Sequence, residues 1–270
     1  MKGFFSRDYE PVVTVDPGEP VVFSSLAAFW HWEPETPLPK PDGAGHPLYG
    51  PIEVRGARAG GTLLVHIDEV TPRPWGVTFA PEVKLMWSLD GDTWLSEHGA
   101  RVAAAPFLGV IGMPPPEPGE HPTGPPRRWG GNIDCKLLVA GTTLYLPIPV
   151  DGGLVLAGDG HGAQGDGEVS GTAIECPVER AQLTFELSEL ELRSPIARVD
   201  GAWVTLGFDE DLDQAADQAL QTMLDLMERE LGVDRNHAVA LASVAVDLAV
   251  TQVVNGAKGV HAVLRDDAIR

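Results

Sequence analysis

Within Gly158-Asp-Gly-His-Gly-Ala-Gln-Gly-Asp-Gly-Glu168, the side chains of Asp159, His161, Asp166 and Glu168 crowd together, separated almost entirely by glycine. Gln164 is the other polar side chain of the segment. Carboxylate and imidazole donors suit zinc, whereas an oxygen-rich set supplemented by backbone carbonyls suits calcium. On an extended backbone Asp159 and His161 point to one side, and so do Asp166 and Glu168, because strand side chains alternate with period two. The intervening glycines permit sharp turns and close approach to a ligand.

Other readings of the segment compete with a metal site. Gly160-His-Gly-Ala-Gln-Gly165 satisfies the dinucleotide pattern G-x-G-x-x-G, but the residues after it, Asp166 to Glu175, read as a strand. No helix N-terminus is then available for a pyrophosphate. A calcium hand fails as well, since the third and fifth positions from Asp159 are His161 and Ala163. A surface turn with solvated acids is the plainest alternative, because Gly-Asp pairs commonly mark turns. A second cluster is Gly130-Gly-Asn-Ile-Asp-Cys-Lys136, where Asn132 and Asp134 share a face that Lys136 continues. No serine occupies a Gly-x-Ser-x-Gly elbow, and Ser170 in Glu-Val-Ser-Gly is not one, which disfavours serine nucleophilic catalysis.

Short strands are expected to carry these segments. Glycine and proline number 31 and 24, and they punctuate apolar runs instead of forming a low-complexity tract. Strand candidates are Pro11–Val15, Pro20–Ser24, Gly50–Val54, Thr62–Val70, Leu144–Pro149, Gly153–Ala157, Glu168–Glu175 and Ala181–Leu187. Trp32–Gly45 and Met113–Gly131 are proline-rich and read as long loops. The last quarter changes character: Leu212, Ala216, Leu220, Met223, Met227 and Leu231 recur at helical spacing before Gly232. A second helix capped by Asp234 follows, and Val250–Val254 with Gly259–Leu264 reads as a closing strand pair. The fold class is mainly β, an open or closed β-sandwich, with an α+β C-terminal part.

The 39 acidic and 19 basic residues give a net charge of −20, which repels nucleic acid and anionic lipid and favours neutral or cationic ligands. It also crowds carboxylates together, and a bound cation would offset the cost. Cys135 and Cys176 have no paired-thiol spacing, so neither a disulfide framework nor a thiolate zinc site is indicated. With no signal-peptide core at the N-terminus and no apolar run of spanning length, a cytoplasmic protein without membrane partners is expected.

Taken together, these segments resemble the acetamidase/formamidase family. The likeness is carried by Gly50–Val65, Gly109-Val-Ile-Gly112, His121-Pro-Thr-Gly124, Gly130–Leu138, Gly141-Thr-Thr-Leu-Tyr-Leu-Pro147 and Gly158–Glu168, with Ser243–Leu248 and Gln252-Val-Val-Asn255 near the end. The resemblance implies a CUB-like, jelly-roll β-sandwich over residues 1–200 carrying the metal site. A small two-helix α+β region over 201–270 would pack on it. It further implies a homodimer or larger homo-oligomer, bound zinc or calcium, and hydrolysis of a small neutral amide such as formamide or acetamide to carboxylate and ammonia.

Carried over by position, Asp134, Asp159 and His161 match the metal-site residues, and Asp166 and Glu168 match the family's Asp-Gly-Glu. A divalent metal would polarise the amide carbonyl and bring the pKa of its water to about 7. Glu168 would accept and return the proton, with Lys136 and Asp166 completing the catalytic set. Asn132, Gln164, Trp129 and His46 are the expected substrate contacts. The sequence departs from the family at Phe23-Ser-Ser-Leu-Ala27, where members carry two acids, and at Trp129, where they carry His. Two alternatives remain open: a non-catalytic, metal-stabilised β-sandwich binding protein, and a hydrolase of the same scaffold acting on a larger substrate.

Overall fold

The computed structural model describes residues 1–269. It is mainly β, with two helices near the C-terminus. Its largest sheet has eight strands in the spatial order Val246–Gln252, Lys258–Arg265, Ala202–Asp209, Ile196–Val199, Thr142–Pro147, Thr62–Pro72, Val178–Ser188 and Pro20–Ser25. A second sheet, here the site sheet, runs Val13–Val15, Leu48–Val54, Val155–His161, Phe107–Gly112 and Gly130–Asn132.

Alternation builds the sandwich. Val65, Ile67, Leu144, Leu146, Leu183 and Phe185 of the large sheet pack with Ile52, Val54, Ile111, Val155 and Ala157 of the site sheet in one buried core. A third sheet of four antiparallel strands, Trp75–Ala80, Val83–Asp90, Thr93–Ser96 and Arg101–Ala103, flanks the site sheet around Trp87 and Trp94.

The core alternation also explains where the chemistry sits. Along Val155–His161, every second residue faces the same way, and the first two of that set, Val155 and Ala157, belong to the core. The next two are Asp159 and His161, so the face that is hydrophobic at one end of the strand becomes ionisable at the other. The whole strand is buried.

The first helix, α1 (Leu212–Leu231), starts at Asp211, whose side chain accepts from the Asp213 and Gln214 amides, and it ends at Gly232 with φ +67°. The second, α2 (Arg235–Ala245), starts at Asp234, whose carboxylate accepts from the His237 amide at 3.1 Å. Its C-terminus runs directly into the edge strand of the large sheet. Of the expected set Met223 and Met227 are buried, together with Ala215, Ala219, Thr222, Leu224 and Leu226, while Leu212, Ala216 and Leu220 are partly buried against the same cluster and Leu231 is exposed. The small residues face the sheet because the helix lies very close to it. A Cβ on Gly207 would collide with the Ala215 carbonyl and the Ala219 amide.

Two strand expectations need correction. Residues 168–175 are not a strand: Gly167, Glu168 and Gly171 have φ of +99°, +43° and +81°, which an extended chain cannot accommodate, and the Gly171 amide closes a turn onto the Glu168 carbonyl at 2.8 Å. The expected strand Gly153–Ala157 begins later and continues through His161. The entire four-stranded sheet between residues 75 and 103 was unforeseen. The large sheet contains strands from both sides of residue 200, and the hairpin of Ile196–Val199 with Ala202–Asp209 straddles that position.

The tight seat of α1 on the large sheet gives the first test. Gly207→Ala should lower stability by about 1–3 kcal/mol through overpacking, seen as a lower urea midpoint at unchanged slope. An unchanged midpoint would mean that the helix does not need glycine beneath it.

Candidate metal and catalytic site

Five ionisable side chains from four segments meet at the end of the site sheet: Asp134, Asp159, His161, Glu168 and Glu175, all buried. Asp159 and His161 come from the strand described above. Asp134 follows Gly130–Asn132 and sits at φ +50°, with its amide and that of Ile133 donating to the Gly109 carbonyl. Glu175 pairs with Val77 of the flanking sheet through two backbone hydrogen bonds of 2.9 Å, and Glu168 enters from the glycine-rich turn.

The imidazole is the hub. His161 Nε2 lies 3.4 Å from Asp159 Oδ2, 3.5 Å from Glu175 Oε2 and 3.9 Å from Asp134 Oδ1. Its other nitrogen, Nδ1, is 2.9 Å from Gln164 Oε1, while Gln164 Nε2 donates to the Asp134 carbonyl at 2.7 Å. That second bond orients the Gln164 amide, so its oxygen is the acceptor and His161 Nδ1 must carry hydrogen. In the neutral imidazole the Nε2 lone pair is then directed at the carboxylates, as a metal ligand requires. Phe107 packs edge-on against the ring at 4.9 Å between centroids.

Charge makes this arrangement costly on its own. Burial, followed by the charge of Glu168, pushes the Asp134 carboxyl well above its ordinary range. Burial and then the Asp159 charge outweigh His161 and carry Glu168 up to about 7 and Glu175 up to about 8. Burial also opposes ionisation of Asp159, but His46, His161 and hydrogen bonds from the cluster together bring it down to about 2. Burial disfavours the charged imidazole, yet Glu175, Asp159 and Asp134 hold the His161 pKa well above its usual value.

The donor set fits a divalent cation. Asp134 Oδ1, Asp159 Oδ1, Glu168 Oε2 and Glu175 Oε2 are buried without a hydrogen-bond partner among the described residues. Two overlapping sets, Asp134-His161-Glu168 and Asp159-His161-Glu175, each bring three ligand atoms within 4.8 Å of one another. Gly109 supplies the space: a Cβ there would stand 2.7 Å from Asp134 Oδ1, 2.8 Å from Asp159 Oδ2 and 2.9 Å from His161 Cε1. Unpaired buried carboxylate oxygens around one imidazole nitrogen form the kind of site that a cation satisfies.

A cavity of about 210 Å³ opens above the cluster, with Phe29, Lys40, His46, Asn132 and Asn255 among its lining residues. Asn132 is buried and its Oδ1 has no hydrogen-bond partner among the described residues. His46 turns Nε2 to within 4.0 Å of Asp159 Oδ2, while its Nδ1 lies 2.9 Å from the Thr123 hydroxyl.

The structure does not bring every expected residue to this cavity. Lys136 and Asp166 pair with each other at 2.8 Å, both about one-third exposed, and neither lines it. Asp166 and Glu168 diverge because the backbone between them turns instead of extending. Trp129 packs against the sandwich core with the Arg128 guanidinium 5.9 Å from its ring, outside the cavity. Gln164 orients His161 instead of facing the opening. Glu175, Asn255 and Gly109 were not foreseen as site residues. Glu175 lay in a stretch read as strand, and only the three-dimensional approach of the other ligands identifies Gly109.

The raised carboxyl pKa values set a pH dependence for the metal-free protein. Their folded values exceed the ordinary 4.5 of glutamate, so the folded chain retains protons that the unfolded chain has released. The resulting stability is complete below about 4.5 and is lost as pH rises through about 7 to 8. Chelator-treated protein should therefore melt at a lower temperature at pH 8 than at pH 5, and added zinc should remove much of the difference. A metal-free melting temperature that rises over this interval would contradict the assignment.

Comparison with known proteins gives the site its context. The Acetamidase/Formamidase family pattern matches residues 119–264, which include Asp134, Asp159, His161, Glu168, Glu175 and Asn255. An acetamidase structure from Bacillus halodurans is 30% identical, with a TM-score of 0.88 over 97% of this chain and 94% of that one. An acetamidase of Mycolicibacterium smegmatis is 25% identical over 199 residues, 46% of this chain and 49% of the relative. The chain spans about half the length of the curated relatives it matches. With more than half of its length matched by the family pattern and nearly all of it by a solved acetamidase fold, the chain belongs to the acetamidase/formamidase family.

Proposed function

We propose that this protein hydrolyses small amides of the formamide and acetamide type to carboxylate and ammonia at the Asp134–Glu175 cluster. The observation that carries this reading is the set of buried carboxylate oxygens without partners among the described residues, two of which, Asp134 Oδ1 and Glu175 Oε2, face His161 Nε2, beside a cavity that all four carboxylates line. Asp134, Asp159, His161 and Glu175 would hold a divalent ion, with zinc suited to the mixed imidazole and carboxylate set. When bound, such an ion supplies Lewis acidity toward the amide carbonyl and makes water nucleophilic near neutral pH.

The chain's own groups account for the remaining requirements. Glu168 is the least buried of the four carboxylates and lines the cavity, so it is placed to take a proton from water and return it to the leaving nitrogen. Asn132 offers a buried, unpaired Oδ1 that can accept an N–H of the substrate amide, and His46 faces the same space. The cavity of about 210 Å³ would gather these groups around a small planar substrate and favour the reacting geometry. No membrane-spanning helix occurs among the described residues. A homodimer or larger homo-oligomer, on the strength of the family resemblance, and a cytoplasmic location, on the sequence's lack of a signal-peptide core and of a spanning run, remain part of the proposal.

Ammonia release from formamide and acetamide tests the activity. It should disappear on chelation and return with added zinc, with calcium as the comparison; full turnover by rigorously metal-free protein would refute the metal role. Glu168→Gln should lower kcat by about 10²–10⁴-fold while one zinc per chain is retained. Near-normal kcat in that variant would remove Glu168 as the proton carrier. Chelation that lowers the melting temperature of a chain with no detectable turnover would favour the binding-protein alternative.

A further inference from the structure

We infer that Asn255, in the turn of the C-terminal hairpin, is a positioning residue for the metal ligand Asp134, so that the last strands of the chain help to build the site. The inference rests on the metal site proposed above.

Two independent connections support it. Asn255 Nδ2 donates to Asp134 Oδ2 at 2.7 Å, across 121 residues of sequence. The donor occupies one carboxylate oxygen and leaves Oδ1, which has no hydrogen-bond partner among the described residues, turned toward His161 Nε2 at 3.9 Å. A carboxylate anchored in this way presents one oxygen in a fixed direction, the usual task of a group hydrogen-bonded to a metal ligand. The second connection is through the backbone: the Gly167 amide donates to the Thr251 carbonyl, and the Val253 amide donates to the Gly167 carbonyl, both at 3.0 Å. The hairpin therefore also braces the turn that carries Glu168.

The hairpin is built to present Asn255. Gln252, fully buried, donates from Nε2 to the Ala257 carbonyl at 2.6 Å and accepts the Val254 amide on Oε1 at 2.7 Å, clamping the turn from inside. Asn255 itself sits at φ +62°, a conformation that asparagine tolerates better than most residues. Its carboxamide supplies an N–H donor, which aspartate at the same position would lack. The buried Asp134 thereby gains a neutral donor on Oδ2.

Zinc titration of the full chain against a chromophoric chelator, with wild type, Asn255→Gly and Asn255→Asp, tests the inference. Asn255→Gly keeps the left-handed backbone and removes the donor; Asn255→Asp keeps the shape and replaces the donor with an acceptor. Zinc affinity should fall about 10–100-fold in Asn255→Gly and at least as far in Asn255→Asp. The metal-free melting temperature of Asn255→Gly should stay within about 2–4 °C of wild type. A merely structural turn residue would lower that temperature and leave zinc affinity unchanged, and this outcome overturns the inference. If Asn255→Gly does not fold, wild-type zinc affinity in folded Asn255→Asp overturns it equally. Unchanged affinity in the variants alongside tight binding by wild type leaves the metal site standing and removes only the role of Asn255. Wild type that takes up no zinc removes both.

Discussion

Four carboxyl groups buried around one imidazole nitrogen cannot all remain ionised without a compensating charge. The metal-free fold meets this constraint through protons: Asp134, Glu168 and Glu175 are displaced toward their neutral forms, while His161 is displaced toward its charged form. A divalent cation would reverse both displacements, freeing the carboxylates to ionise and the imidazole to offer its lone pair. Proton and metal then compete for the same atoms, so metal binding, folding stability and pH become one linked equilibrium.

The rest of the architecture is arranged to pay that electrostatic cost in one place. Strand Val155–His161 anchors two ligands by continuing a face whose first half is ordinary core. Because Val155 and Ala157 are locked between two sheets, Asp159 and His161 inherit fixed directions. Gly109, on the neighbouring strand, keeps the centre open where any side chain would fill it. Gln164 and Asn255 then orient His161 and Asp134 by hydrogen bonds that leave the inward-facing atoms free. The ligands all fall within residues 134–175, but Val77, Gly109 and Asn255, which hold them in place, lie well outside that stretch, so the site depends on the whole sandwich.

How much of this was legible depended on whether a residue's role follows from its neighbours in sequence. The first helix's end at Gly232 and the second's start at Asp234 were readable because caps are local chemistry. The shared direction of Asp159 and His161 followed from strand alternation alone. Asp134 required the family resemblance, since nothing local links it to a segment 25 residues away. The same local logic misled at Asp166 and Glu168: period two would put them together, but the positive φ of Gly167 and Glu168 sends one outward to Lys136 and the other inward. Glu175 is hidden for a related reason, because residues 168–175 read as a strand although the chain turns at Gly167, Glu168 and Gly171.

Anomalous diffraction at the zinc edge, from crystals of the wild-type chain grown with zinc, measures the central claim most directly. One strong peak per chain is expected among His161 Nε2 and the carboxylates of Asp134, Asp159 and Glu175. A cluster without that peak, or with zinc bound only elsewhere on the acidic surface, would contradict the proposed role of these buried groups.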